Sequence, residues 1–227
     1  MNHQDKLTKT NFPKGFATTE ELKAAGISGY CINRLCYNGD IIRLKHGLYK
    51  IKALKISDER DVILAAIPQG VFCMSEALYI YGFRKRKPYE HEIAVPRGFV
   101  HSDSRFIKDV DLQIYNIKPE HFEIGLTVSP EGYPCYDLER TICDYFKNHT
   151  RISYRCLREL SKQYRKYENK DIIRLQDYAE QLNLSVAAKQ KMDWLILHPF
   201  HDFKIRKKIF AANKNTTTVK IREIYYT

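Results

Sequence analysis

Phe16-Ala17-Thr18-Thr19-Glu20-Glu21-Leu22-Lys23-Ala24-Ala25-Gly26-Ile27-Ser28 carries the start and stop signals of two helices. Thr18 and Glu21 form a capping box: the hydroxyl accepts from the Glu21 N–H while the carboxylate reaches back. The first helix should end near Ala25, because Gly26 readily takes the left-handed conformation that closes a helix. Ser28 then caps a second helix, which should run to about Asn38 and stop at Gly39. Two short helices across an Ala-Gly-Ile-Ser turn fit a helix-turn-helix pattern.

The second helix has two faces. Ile32, Leu35 and Cys36, helped by Cys31, recur at helical spacing and should pack inward. Tyr30, Asn33, Arg34 and Tyr37 form a stripe on the other side. Arg can bond guanine bidentately and Asn can do the same for adenine, as a helix in the major groove requires. Any amphipathic helix also has a polar face, so the stripe gains meaning from the segment C-terminal to it. Asp40-Ile41-Ile42-Arg43-Leu44-Lys45-His46-Gly47-Leu48-Tyr49-Lys50-Ile51 reads as two strands around a Gly-containing turn. Ile42, Leu44, Leu48 and Ile51 are expected to face the helices, with Arg43, Lys45 and His46 at or near the tip. A basic hairpin after a helix-turn-helix is a wing, suited to phosphates or a minor groove. The candidate DNA-binding residues are therefore Ser28, Tyr30, Asn33, Arg34, Tyr37, Arg43, Lys45 and His46. Many winged helices carry a further helix in front; Met1–Lys14 is short, polar and interrupted by Pro13.

Charge agrees with a polyanion partner. The 227 residues carry a net +11, divided as +6 over residues 1–55, −4 over 56–150 and +9 over 151–227. Clustered Lys and Arg neutralise phosphates and release counterions, although basicity alone also serves solubility. Six cysteines at 31, 36, 73, 135, 143 and 156 include no C-x-x-C pair, which speaks against a zinc ribbon or a disulfide framework. No apolar run approaches the roughly 18–20 residues of a membrane span, and Met1-Asn2-His3-Gln4 does not begin a signal peptide. A cytoplasmic protein is expected.

Beyond residue 55 the pattern alternates. Helix signals occur at Ser57–Ile67 and after Ser75, which is expected to cap a helix closed by Gly82. Strand signals occur at Val71–Met74, Glu92–Val95 and Leu112–Ile117, and four further helices near 137–147, 153–167, 171–183 and 185–197. The expected fold class is α+β: an N-terminal winged helix-turn-helix, then a mixed α/β domain with a helical C-terminal part. The domains are 1–55, 56–197, and a basic extension over 198–227. Arg84, Lys85, Arg86 and Lys87, with Arg97, are candidates for a secondary basic contact; an exposed loop explains them equally well.

Enzyme signatures are missing. There is no G-x-x-x-x-G-K-[ST], G-x-S-x-G, H-E-x-x-H or G-x-G-x-x-G. Asp137, Arg140 and Asp144 share a helix face, but a capping Asp and an i, i+4 ion pair account for them. Cys143 sits on a core face. His198 and His201 are weak metal ligands. No catalytic residue, metal or cofactor is assigned.

Five segments together are recognisable: Gly15–Ile27, Ile42–Tyr49, Val71–Gly82, Ala94-Val95-Pro96-Arg97-Gly98, and Tyr136–Asp144. In that order, over roughly residues 14–197, the chain resembles the AbiEi-type antitoxins of bacterial type IV toxin–antitoxin (abortive infection) systems. The resemblance implies a winged helix that binds inverted repeats in double-stranded DNA of its own promoter and represses transcription. It also implies a second domain that counteracts a co-encoded nucleotidyltransferase-like toxin, without a stable complex. His198–Thr227, with its Lys204-Ile205-Arg206-Lys207-Lys208 cluster and a strand-like Thr218–Ile224, has no counterpart in that family. Two other functions compete: a stand-alone winged-helix regulator with a sensing C-terminal domain, and a nucleic-acid enzyme, which would need metal-dependent turnover.

Overall fold

The computed structural model describes residues 6–98 and 107–196. Strand β1 (Phe16–Thr18) enters helix α1 (Thr19–Ala24), and α2 (Gly29–Asn38) comes after the turn. The capping box is formed: Glu21 N–H donates to Thr18 Oγ1 at 3.2 Å and Thr18 N–H to Glu21 Oε2 at 2.7 Å. Gly26 and Gly39 both take positive φ, 73° and 75°. At each, the following N–H reaches back to the last turn (Ile27 to Leu22 O, Asp40 to Leu35 O), so the helix ends are satisfied as the glycines require. No α-helix precedes α1 among the described residues. Turns carry Leu7 and Phe12 into the helical core instead.

Strands β2 (Ile41–Lys45) and β3 (Leu48–Ile51) form an antiparallel hairpin, and β1 pairs with β3 to give the order β1-β3-β2. The facing differs from the alternation expected of the sequence. Ile41, Tyr49 and Ile51 pack with the helices, whereas Leu44 and Leu48 join Phe16 on the opposite face. The reason is twofold. The pairing slips between Arg43 and Lys45, which resets the alternation, and the second face is also buried, against the rest of the chain.

That remainder opens with α3 (Glu59–Ala66), β4 (Val71–Phe72), α4 (Met74–Ile80), β5 (His91–Pro96) and β6 (Leu112–Ile117). It continues with α5 (Pro119–Phe122), β7 (Leu126–Val128) and β8 (Pro134–Tyr136). Helices α6 (Leu138–Lys147), α7 (Tyr154–Lys166), α8 (Ile172–Gln181) and α9 (Val186–Ile196) complete it. The sheet order is β6-β5-β4-β8-β7, with β5–β6 and β4–β8 parallel and the other pairs antiparallel. Alternate residues serve two cores. Val71, Ala94 and Tyr136 face the helices α6–α9, while Phe72, Ile93 and Cys135 face α3 and the N-terminal sheet. The architecture is mixed α+β: N-terminal helices with a small sheet, a central mixed sheet, and C-terminal helices.

Ser75 is not a cap. Cys73 holds that position without a side-chain bond, and α4 begins at Met74 with φ 49°. The Ser75 N–H donates to Glu92 Oε2 at 2.7 Å, so a carboxylate on β5 satisfies the first turn of α4 and no local cap is needed.

Candidate nucleic-acid interface

Helix α2 turns Ile32 and Leu35 into the core and leaves Asn33 and Arg34 exposed. Tyr30 and Tyr37 are 78% and 92% exposed, unusual for aromatic side chains on a globular surface. Arg34 has no ion-pair partner among the described residues, so its five donors remain available. Ser28 Oγ accepts from Cys31 N–H at 3.4 Å and marks the exposed N-terminal end of the same helix.

The hairpin beside α2 is held from three sides. Gly47, at φ 77°, presents a carbonyl that accepts from Thr19 N–H at 2.9 Å, pinning the tip to the start of α1. Arg43 is exposed, with its guanidinium 5.6 Å from the Tyr49 ring centroid, and His46 is exposed at the tip. Lys45 points elsewhere. Its ammonium donates to Ala66 O at 2.9 Å, at the C-terminal end of α3, where a cation suits the helix dipole. The third support comes from far along the chain. Lys108 N–H donates to Leu44 O at 3.0 Å, from a turn in which Ile107 is buried and Asp109 takes φ 64°. Lys108 itself is exposed, next to the bulged strand. Sequence reading had no means of placing it there, since it contacts the hairpin only through tertiary structure.

The secondary basic residues divide. Arg84, Lys85, Arg86 and Lys87 are exposed, and Lys87 pairs with Glu59 of α3 at 2.7 Å. Arg97 lies instead at a separate cleft, with Lys118 and Lys147. His198, His201 and the whole 198–227 extension lie outside the described residues. Asp137 caps α6 by accepting from Arg140 N–H at 2.8 Å, and Arg140 pairs with Asp144 at 3.0 Å. No described group of three or more His, Cys, Asp or Glu is arranged to hold a metal ion.

Beneath the 84–87 loop runs an ionic chain, buried at Arg60, Glu76 and His91 and open to solvent at Glu59. Arg60 Nε donates to Glu76 Oε1 at 2.8 Å; Glu76 Oε2 lies 3.1 Å from His91 Nδ1; His91 Nε2 lies 3.0 Å from Glu59 Oε2. A neutral imidazole has one N–H, so carboxylates on both sides favour the doubly protonated ring, although the Nδ1–Oε2 approach is not aligned as a hydrogen bond. Burial pushes the His91 pKa down, but its contacts with Glu76 and Glu59 outweigh that and the net shift is upward. Glu76 shows the converse: burial raises it, and His91 with Arg60 brings it below the usual carboxylate value. The histidine's share of stability is full below about pH 6.5 and fades as pH rises through its elevated folded value. The carboxylates' share is full above about pH 4.5 and fades as pH falls. Denaturation midpoints should therefore decline on the alkaline side of the His91 transition. In His91→Gln that alkaline decline should vanish; an unchanged pH profile would detach His91 from the network.

Comparison with known proteins bears on the first module. Residues 13–51 match the family model described as "Transcriptional regulator, AbiEi antitoxin". Those residues are similar to the AbiEi antitoxin domain. The match spans β1 through β3 and so includes both helices and the hairpin. Among solved structures, the chain is similar to the RV2827C protein from Mycobacterium tuberculosis. The TM-score is 0.60 at 15% identity, over 94% of this chain and 83% of that one. At that identity the likeness is one of fold, and it extends well beyond residues 13–51. A comparison with curated proteins returns no match. No described helix is long and apolar enough to cross a membrane.

Proposed function

We propose that the chain is a cytoplasmic autoregulatory antitoxin whose N-terminal domain, residues 1–55 and including the AbiEi-like stretch 13–51, is a winged helix-turn-helix. Helix α2 enters the major groove of operator DNA with Asn33 and Arg34 toward base edges and Tyr30 and Tyr37 beside them. Arg43 and His46 of the wing, with Lys108 from the second body, contact phosphates. The observation that carries this reading is an exposed Tyr-Asn-Arg-Tyr stripe with an unpaired guanidinium, next to a basic hairpin fixed in place. The body over residues 56–197 then opposes a co-encoded nucleotidyltransferase-like toxin. Coexpression with the neighbouring gene should relieve that gene's toxicity.

A gel-shift with the DNA upstream of its own gene, against a scrambled duplex at near-physiological salt, tests the DNA half. Specific binding that survives competitor supports it; equal binding to both duplexes removes it. Salt dependence separates the roles further. Lys108→Ala should lower the slope of log K against log salt by about 1, the signature of one lost phosphate contact. Lys45→Ala should leave that slope unchanged, because the Lys45 ammonium is held by Ala66. If Lys108→Ala keeps the full slope, Lys108 does not touch the backbone.

A further inference from the structure

On the side of the central sheet that faces α6, the C-terminal ends of the parallel pair β5–β6 open onto a cleft of about 480 Å³. Its floor is Met74, Ala94 and Tyr136. Three cations from three different elements surround it: Arg97 after β5, Lys118 after β6, and Lys147 at the end of α6. Three carboxamides, Asn116, Asn148 and Asn183, complete the lining. Deeper in, Arg140 is only 1% exposed and is already committed. It pairs with Asp144 at 3.0 Å, donates to His121 O at 2.6 Å and Ile124 O at 2.7 Å, and lies over the Tyr136 ring at 4.2 Å. Asp144 is thus neutralised from within; among the described residues the outer cations make one ion pair, the loose Lys118–Glu120 contact at 3.6 Å, and the Lys147 ammonium spends one of its three donors on Leu182 O at 3.0 Å.

Two groups of the cleft are shifted toward their neutral forms, each chiefly by burial. Lys147 is held below the ordinary lysine range by burial, with Arg140 and Lys118 adding to the effect against Asp144. His121 is pushed down by burial and by Lys147. An anion in the cleft would relieve both. The volume is far larger than a bare oxyanion needs and falls within the usual range for small-molecule sites. Asn148 Nδ2 donates to Asp144 O at 2.9 Å and Asn183 Nδ2 lies 3.4 Å from His121 Nε2, but each keeps its carbonyl and a second N–H, and these with Asn116 suit the edge of a heterocyclic base.

We propose that this cleft binds a nucleotide, with its phosphate on Arg97, Lys118 and Lys147 and its base edge against the asparagines. The assignment uses no part of the DNA reading, since every residue in it lies on the second body.

Thermal unfolding and calorimetry on the full chain test it, with AMP, GMP, CMP, UMP and ATP as probes and adenosine and inorganic phosphate as controls. At least one nucleotide should bind one to one and raise Tm by roughly 5–10 °C at a hundredfold excess over Kd. Adenosine should give no shift, and inorganic phosphate a much smaller one. Arg97→Ala with Lys118→Ala, both at exposed positions, should weaken binding at least tenfold. Arg34→Ala, on the DNA-facing helix, should leave it unchanged. The proposal is overturned if no nucleotide shifts Tm, if phosphate alone matches the nucleotides, or if the double variant binds as wild type does. Loss of binding in Arg34→Ala alone would move the nucleotide to the DNA face and equally overturn it.

Discussion

Arg140→Met should destabilise the protein by about 3–5 kcal/mol, the range for removing one partner of a buried ion pair. The arginine joins α6 to the α5–β7 segment, beside the Asp137 N–H to Gly125 O and Tyr136 hydroxyl to Phe122 O bonds. Its guanidinium ties Asp144 on its own helix to two carbonyls of the α5–β7 segment, His121 and Ile124. Close by, Gly125 sits at φ 74° directly against the Arg140 side chain, where any Cβ would collide. Methionine fills a similar volume but leaves a carboxylate and two carbonyls buried without a donor. Burial already raises the Asp144 pKa while Arg140 opposes the rise. Without the arginine, Asp144 should take up a proton more readily, so the variant's deficit should shrink as pH falls. Urea denaturation at pH 5 and pH 8 measures both effects. Arg140→Lys should fall between, since one ammonium cannot span the three acceptors. A variant as stable as wild type would mean the pair contributes nothing net, as some buried pairs do.

Arg34→Ala should weaken operator binding by about 1–3 kcal/mol, roughly 5- to 150-fold, and relax base preference at one position. The effect should exceed that of removing any single wing cation, because a bidentate base contact is lost together with its charge. Arg34→Lys separates the two parts: it keeps the charge but not the fork, so affinity for random DNA should persist while discrimination falls. Binding to a library randomised across the operator reads both quantities. Unchanged affinity and unchanged preference would take Arg34 out of the interface, and the exposed tyrosines with it.

Local chemistry was readable in the sequence and tertiary chemistry was not. Thr18, Glu21, Gly26, Ser28 and Gly39 act within four residues of themselves, so both N-terminal helices could be bounded from the chain alone. Helices α6 to α9 were likewise visible from their periodicity. Leu44 and Leu48 were assigned to the wrong face because the hairpin is buried on both sides, and apolar alternation cannot say which partner lies where. Ser75 looked like a cap because its true substitute, Glu92, is remote in sequence. Strands β1, β7 and β8, three residues each, are too short to carry a period. That Tyr30, Asn33, Arg34 and Tyr37 lie on the exposed face of α2 was legible from helical spacing. The cleft cations were not, as Arg97, Lys118 and Lys147 meet only in the fold.

Phe16, Leu44 and Leu48 share one apolar core with Val62, Ile63 and Ile67, and Lys45 reaches across to Ala66. The N-terminal module is thus welded to the body rather than hung from a tether. Two such molecules side by side on one duplex would behave as a caliper with locked jaws. Each base pair inserted between half-sites rotates the second by about a tenth of a turn, and neither jaw can swivel to follow. Selectivity for spacing would then come from stiffness in the protein, and would survive changes to the letters between the half-sites.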